Sequence, residues 1–302
     1  MKIAVSGASG LIGRALLDGL RGDGHDVLQL VRRTPRTADE HRWDPQHRRI
    51  DPRLLTDVDA VINLAGAPIR PRPWTRRYRE QLVTSRLDAT TTISEALAAA
   101  QAADPSRRRV LINASGIGYY GDTGDATIQE SAPPGTDFLA RLCVQWEAAT
   151  APAAGAGVRV VMLRTGLVLA PDAMLVTVLG LVFRLGLGGR LGSGRQYWPW
   201  ISLRDEIGAI RHLLVTDVSG PVNLNAPTPA TNAEFTRELG GVLHRPTLLP
   251  VPTFAISAGL GEFGRASVIG GQKAVPTKLL ESGYAFRDTR LDEALRTAFT
   301  RH

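Results

Sequence analysis

The sequence predicts an α/β fold in which a doubly wound parallel sheet is followed by a smaller C-terminal lobe. Strand-like and helix-like stretches alternate from the first residues, a rhythm typical of a parallel sheet with helices on both faces. A glycine-rich turn follows the first strand and opens the first helix. The alternation stops near residue 226, beyond which prolines become frequent. We therefore expect one domain over residues 1–226 and a second over residues 227–302.

Each element is predicted from its own pattern. Short apolar, β-branched runs bounded by turn residues predict buried strands, and apolar residues at helical spacing predict helices. The predicted strands are Lys2–Val5, Asp26–Val31, Asp59–Leu64, Val110–Ala114, Val158–Leu163 and Pro221–Leu224. The predicted helices are Leu11–Arg21, Arg77–Ala103, Phe138–Ala149 and Arg204–Val215.

The glycine-rich turn carries the most specific signal. Gly7 permits the tight turn from strand to helix, Gly10 lets the backbone approach a pyrophosphate, and Gly13 lets the helix pack closely on the sheet. The free N–H groups at the start of the helix then attract phosphate charge. The motif in this context predicts a Rossmann-type dinucleotide site. The residues that we expect to contact the dinucleotide are Gly7, Ser9, Gly10, Leu11, Ile12 and Gly13.

The end of the second predicted strand distinguishes NADP from NAD. An NAD site usually has Asp or Glu about 20 residues beyond the glycine motif, where it holds the ribose 2′-hydroxyl. Here Val31 is followed by Arg32 and Arg33. A guanidinium suits a 2′-phosphate, because its planar fork donates two parallel hydrogen bonds. The sequence therefore favours NADP(H).

Composition limits the other classes of function. The net charge of +7 comes almost wholly from arginine, and no nucleic-acid motif or aromatic cluster accompanies the arginine runs, so we expect no nucleic-acid partner. The single cysteine, Cys143, excludes an internal disulfide and suits a reducing cytoplasm. The chain starts without the pattern of a signal peptide. Its longest apolar run, Met174–Phe183, is shorter than the roughly 18 residues of a membrane span, so no membrane partner is expected.

Several motifs together resemble the extended and atypical short-chain dehydrogenase/reductase superfamily, and within it the branch of epimerase family proteins. The resemblance implies that Leu64, Ala65 and Gly66 pass beside the adenosine ribose. It also implies that Arg86 contacts the cofactor, with Gln81 as a weaker candidate. The motifs are Gly7–Gly13, Trp43–Pro45, Asn63–Ile69, Arg72–Arg86, Ser115–Gly121, Trp146-Glu147, Leu163–Leu169, Gly192–Asp205, Asn223–Phe235 and Gly283–Asp288.

The resemblance also implies a catalytic serine, tyrosine and lysine, of which only the serine is present. Ser115 comes just past a predicted strand, where the family's serine belongs. The Tyr-x-x-x-Lys pair is absent: placed by the following Glu147, its positions hold Leu139 and Cys143. The loss matters because the lysine lowers the pKa of the tyrosine, which is otherwise near 10.

Two interpretations of function stay open. In the first, the chain is an NADP(H)-dependent oxidoreductase or epimerase-like enzyme that acts on a small molecule in a cleft completed by the C-terminal domain. Ser115 would polarise the substrate, and Tyr119 or Tyr120 would replace the missing acid. The aromatic segment Gly192–Trp200 would line the substrate or pack between the lobes. In the second, the chain is a non-catalytic NADP(H)-binding redox sensor. By analogy a homodimer is possible, and no metal site is expected.

Overall fold

The computed structural model describes residues 1–299 and contains eleven strands and ten α-helices. The strands are β1 (Lys2–Ser6), β2 (Asp26–Val31), β3 (Glu40–Arg42), β4 (Ala60–Asn63), β5 (Val110–Gly116), β6 (Thr127–Ile128), β7 (Arg159–Thr165), β8 (Leu167–Leu169), β9 (Trp200–Ser202), β10 (Gly220–Leu224) and β11 (Lys273–Ala274). The helices are α1 (Leu11–Gly22), α2 (Arg76–Ala103), α3 (Phe138–Ala148), α4 (Ala151–Gly155), α5 (Met174–Arg184), α6 (Leu203–Val215), α7 (Asn232–Leu243), α8 (Thr253–Gly264), α9 (Thr277–Glu281) and α10 (Leu291–Phe299).

The main sheet has seven parallel strands in the order β10-β7-β5-β4-β1-β2-β3. Chain order reverses between β1 and β4, and in doubly wound sheets ligands bind beside that reversal, at the carboxyl ends of the strands. The predicted Rossmann-type α/β class is therefore confirmed. The predicted strands all occur, and β5 continues through Ser115, which the sequence analysis had placed just beyond it.

Helices cover both faces of this sheet. On one face α1 and α6 pack on β1, β4, β5, β7 and β10 through residues such as Leu16 and Ile210. On the other face α2 and α4 contribute residues such as Ile93 and Ala153 to a second core. The helices are amphipathic because their apolar residues recur every three or four positions. Burial of both faces of the sheet leaves its carboxyl edge as the exposed place for chemistry.

The chain beyond β10 is held against this edge by polar anchors and by a third core. That core includes residues of α5, α7 and α10, among them Phe183, Phe235 and Leu295. The buried carboxylate of Asp205 accepts hydrogen bonds from the Tyr284 hydroxyl and from the Arg287 and Asp288 backbone N–H groups, at 2.8–3.0 Å. One carboxylate at the start of α6 thus fixes the chain that leads into α10.

Replacing Asp205 with alanine will therefore destabilise the protein strongly. The change removes the acceptor of the Arg287 and Asp288 backbone N–H groups and leaves the Tyr284 hydroxyl with only the Asp205 carbonyl, which we expect to cost about 3 kcal/mol. Urea unfolding measures the free energy, with Asp172→Ala as the control, since the Asp172 side chain is 81% exposed. A loss for Asp205→Ala no larger than the control's would contradict this account of the anchor.

Candidate functional site

The glycine-rich turn at Gly7–Gly13 forms a concave backbone surface, which we call the glycine cradle. Gly7 and Gly13 leave no room for a Cβ atom. Gly7 has φ +73°, and a Cβ there would lie 2.6 Å from the Leu64 carbonyl. A Cβ on Gly13 would lie 2.3 Å from the Gly7 oxygen, so this helix packs as closely as the motif predicted. At Gly10 a Cβ would meet only the Gly7 oxygen, at 3.3 Å. No side chain caps α1, so its first N–H groups remain available to a phosphate.

A buried polar network fixes the strand ends beneath the cradle. The Ser6 hydroxyl donates to Asn63 Oδ1 on the neighbouring strand, and Asn63 Nδ2 donates to Asn113 Oδ1 at 2.6 Å. Thr90 on α2 accepts from Asn63 Nδ2 and from Trp146 Nε1. The network ties β1, β4 and β5 to the helices that flank them, so the loop of Leu64, Ala65 and Gly66 starts from a rigid edge.

Arg86 is a buried cation that faces this loop. Its side chain lies against Gly66, where a Cβ would be 3.3 Å from Arg86 Cγ, and its guanidinium lies 4.8 Å from the Trp146 ring centroid. Nη1 donates to the Leu82 carbonyl, but the buried Nε has no hydrogen-bond partner in the described chain. Burial lowers the pKa of Arg86 to about 10. A buried donor without an acceptor indicates a site for a ligand oxygen.

Gln81 is not brought to this position. It is exposed on α2, and five residues along a helix place it about 140° around the axis from Arg86. Of the two predicted α2 contacts, only Arg86 faces the strand ends.

The two arginines after β2 have different surroundings. Arg33 donates from both terminal nitrogens to the carboxylate of Glu40 on β3, and this bond lowers the pKa of the buried Glu40. Arg32 is exposed, with no hydrogen bond or ion pair to any residue from 1 to 299. From the sequence, both arginines were expected to bind the 2′-phosphate. In the structure, the Arg33 guanidinium is bound to Glu40, and only the Arg32 guanidinium is available to a phosphate.

Ser115 belongs to a buried ionic network. Its hydroxyl donates to Glu147 Oε1 at 2.7 Å. Arg164, on β7, donates from Nε and Nη2 to the two oxygens of the same carboxylate, at 2.9 and 2.8 Å. The Arg164 and Glu147 side chains are only 3% and 10% exposed. Burial lowers the pKa of Arg164, but the hydrogen bond and charge of Glu147 outweigh it and raise the pKa above its usual value.

The same network holds the two candidate tyrosines. The Tyr120 hydroxyl donates to Asn223 Oδ1 at 2.7 Å and accepts from Arg164 Nη1 at 2.9 Å. Burial raises the pKa of Tyr120 to about 12. The half-buried Tyr119 ring stacks on the Arg164 guanidinium at 3.4 Å. Tyr120 therefore has both hydroxyl functions occupied within the protein, and of the two only Tyr119 has its hydroxyl outside this network.

The helix that should carry the Tyr-x-x-x-Lys pair instead presents apolar groups and one carboxylate. Leu139 is buried, and the buried Cys143 thiol lies 3.6 Å from the Gly116 oxygen. Glu147 follows Cys143 by four residues, which places it on the same face of α3. Sequence reasoning did not identify Glu147 and Arg164 as site residues. Their only signal was their place in two of the resembling motifs.

In the aromatic segment Gly192–Trp200, two of the three aromatic side chains are packed in the protein interior and do not line a cleft. Trp198 and Trp200 are buried, and Trp198 makes an edge contact with Phe235 at 5.2 Å. Tyr197 is half-buried and lies 5.2 Å from Lys273 Nζ. Packing thus accounts for both tryptophans.

The family model described as the NAD dependent epimerase/dehydratase family matches residues 3–225. The chain belongs to that family. A second model, a domain of unknown function (DUF1731), matches residues 251–298. The family assignment confirms the resemblance on which the extended short-chain dehydrogenase/reductase type was expected.

Relatives in this epimerase/dehydratase family match over nearly the whole chain. Epimerase family protein Mb2239 of Mycobacterium bovis is 46% identical over 300 residues, covering 99% of this chain and 98% of that protein. Epimerase family protein SDR39U1 of Bos taurus is 38% identical, covering 98% and 99%. The crystal structure of human SDR39U1 with NADPH matches with a TM-score of 0.86 at 32% identity, covering 99% of both chains. More distant sugar-nucleotide epimerases share the fold.

The described residues include neither a metal-ligand cluster nor a membrane-spanning helix. Residues 1–299 contain no group of three or more His, Cys, Asp and Glu side chains placed to hold a metal ion. None of the helices described there has the length and apolar character needed to cross a bilayer.

The single thiol provides a direct test of the packing around this site. Cys143 is buried, and burial raises the pKa of its thiol to about 12, so the thiol stays protonated near neutral pH. Ellman's reagent at pH 8 will give no colour with the native protein and one equivalent of thiol in 6 M guanidinium. Rapid reaction of the native protein would show that Cys143 is accessible.

Proposed function

We propose that the protein binds NADP(H) along the carboxyl ends of β1, β2, β4 and β5 and catalyses hydride transfer to or from a small molecule. The observation that carries the cofactor assignment is the glycine cradle above free helix N–H groups, beside the buried Arg86, whose Nε has no hydrogen-bond partner in the described chain. The human relative crystallised with NADPH supports it. The open fork of Arg32 supports the phosphorylated form of the dinucleotide, since a 2′-phosphate needs a nearby cation.

Each part of the dinucleotide has protein groups that match its chemistry. The first N–H groups of α1, with Ser9, Gly10, Leu11 and Ile12, would hold the pyrophosphate. Arg32 would hold the 2′-phosphate, with Arg33 fixed beside it by Glu40. Leu64, Ala65 and Gly66 would line the adenosine ribose. Arg86 Nε would donate to a ribose or phosphate oxygen. When bound, the nicotinamide supplies or accepts a hydride.

Ser115 and Glu147 would transfer the proton that is exchanged with the substrate during hydride transfer. Because the Ser115 hydroxyl donates to Glu147, its oxygen is left to accept from a substrate hydroxyl. In oxidation of an alcohol, Ser115 Oγ would accept the alcohol proton and pass its own proton to Glu147, while bound nicotinamide would supply the hydride acceptor. In reduction of a carbonyl, the same two residues would return the proton in the opposite direction. Tyr119 would border the substrate, while Tyr120 keeps Arg164 in place.

A second candidate function rests on the helix that lacks the Tyr-x-x-x-Lys pair. Leu139 has no ionisable group, and the buried Cys143 thiol, with a pKa raised to about 12, is uncharged near neutral pH. This favours a non-catalytic NADP(H)-binding protein that reports the redox state of the cofactor. The retained Ser115–Glu147 contact favours the enzyme, which we therefore place first. Substrate turnover distinguishes the two functions.

Partner and location follow as parts of the same proposal. We propose a small-molecule substrate rather than a nucleic acid, because many of the surface arginines are paired with carboxylates, as in Arg211–Asp23 and Arg21–Asp39. A homodimer remains an expectation by analogy. A cytoplasmic location is proposed from the single cysteine, although one plant relative is named chloroplastic.

Arg32→Ala will weaken NADPH binding by at least about tenfold, because it removes a charge-assisted contact to the 2′-phosphate. Binding of NADH will not change. Arg33→Ala serves as the matched variant and will lower NADPH affinity only about threefold. The Arg33 guanidinium is already paired with Glu40 and adds little charge at the 2′-phosphate. Fluorescence titration with both nucleotides measures these affinities. Equal affinity of the native protein for NADH and NADPH would contradict the cofactor assignment.

Glu147→Gln will lower NADPH oxidation by a panel of carbonyl compounds at least about a hundredfold, because a neutral amide cannot deliver the proton. The variant leaves Arg164 without its buried carboxylate partner, so NADPH affinity within about twofold of the native value is the control that the protein remains folded. Ser115→Ala should show a similar loss. If no compound oxidises NADPH above background with the native protein, the binding-protein function replaces the enzyme.

A further inference from the structure

Helix α5 is apolar on its inner face and over most of its outer face, where the exposed Thr177 and Arg184 are its polar residues. Its inner face buries Val176, Gly180 and Phe183 in the core. Its outer face carries a stripe of large apolar side chains at positions i, i+4, i+7 and i+11, and these are 43–65% exposed: Met174, Val178, Leu181 and Leu185. A surface helix normally turns polar side chains to the solvent. The outer stripe of α5 instead presents large apolar side chains that no other part of the described chain covers.

A second segment adjoins this stripe and enlarges it. The chain after α5 pairs through its backbone with the segment before α8, by a bridge between Gly189 and Leu248 and by a 2.9 Å hydrogen bond from Val251 N to the Arg190 oxygen. Four more exposed apolar side chains lie on these segments: Leu187, Leu248, Leu249 and Phe254. The apolar face, defined as these four with the α5 stripe, holds eight of the twelve exposed large apolar residues of the described chain.

Cations without carboxylate partners accompany the apolar face. Arg184, Arg190 and Arg245 are exposed, and none forms an ion pair with any described residue. The two segments that supply the face, residues 173–203 and 239–261, contain no Asp or Glu at all. Elsewhere many surface arginines are paired, as Arg48 is with Glu95. The face therefore presents aliphatic groups together with uncompensated positive charge.

We propose that the apolar face binds the surface of an anionic lipid bilayer. Aliphatic side chains enter the boundary between headgroups and acyl chains, and adjacent arginines contact lipid phosphates. A second copy of the chain fits less well, because a twofold contact would set Arg184, Arg190 and Arg245 against their own equivalents. The scarcity of aromatic residues, with Phe254 alone, also differs from a protein-binding interface. The sequence-based expectation of no membrane partner rested on span length, which a surface contact does not need.

Co-sedimentation of the full chain with sucrose-loaded vesicles tests the proposal. We expect binding to vesicles of phosphatidylcholine and phosphatidylglycerol (3:1) and little binding to phosphatidylcholine alone. The double variant Leu181→Glu/Leu185→Glu will reduce the partition coefficient at least about tenfold. Arg184→Gln/Arg190→Gln will reduce the partition coefficient about twenty-five-fold, since each basic residue near an anionic surface contributes roughly a factor of five. The controls are Val215→Glu, an exposed apolar position on α6, and Arg108→Gln.

NADPH titration of every variant separates this proposal from the proposed function, since neither arginine nor leucine variants touch the glycine cradle. Sedimentation velocity without lipid shows whether a second copy of the chain occupies the apolar face instead. Absence of binding to the anionic vesicles would overturn the proposal. So would equal binding by the Leu181/Leu185 variant, or a native dimer that this variant dissociates.

Discussion

The buried ion pair between Arg164 and Glu147 is the constraint on which the candidate active site depends. It joins β7 to α3, and its two members reach Ser115 on β5 and Tyr120 in the following turn. Breaking a buried pair by removing one partner typically costs about 3–5 kcal/mol, because the other charge is left uncompensated. The pair therefore keeps a carboxylate fixed beside Ser115. In the proposed function, Glu147 supplies on α3 the acid–base group that the absent tyrosine would have supplied, about two helical turns beyond the tyrosine position at Leu139.

The C-terminal segments close this arrangement from outside. Glu130 Oε1 accepts from the backbone N–H groups of Asn223 and Lys278, so one carboxylate links the tyrosine loop region to β10 and α9. Gln272 donates to the Gly121 carbonyl. Because Asn223 also holds the Tyr120 hydroxyl, the position of Arg164 depends on β10 and, through Glu130, on α9. Residues of the C-terminal part thus help to shape the site.

The sequence predicted features that depend on residues close together in the chain, and it missed contacts between residues far apart in the chain. The glycine cradle is local: Gly7, Gly10 and Gly13 lie within seven residues, and their roles follow from backbone sterics. Ser115 and Arg86 were assigned through the resemblance, which spans the chain. The ion pair between Arg33 and Glu40 was not predictable. Glu40 lies on β3, which is only three residues long and too short to show a strand pattern in the sequence. Nor was the contact of Glu147 with Arg164 predictable, since only the packing of α3 on the sheet creates it.

A crystal structure with bound NADPH tests the central claim most directly, since the account requires the cofactor to run from Arg32 across the glycine cradle to Ser115. We predict that the 2′-phosphate contacts Arg32, that Arg86 Nε donates to a ribose or phosphate oxygen, and that nicotinamide C4 faces a space within about 4 Å of Ser115 Oγ. A nicotinamide ring directed away from Ser115 and Glu147, or a 2′-phosphate beyond the reach of Arg32, would contradict the account.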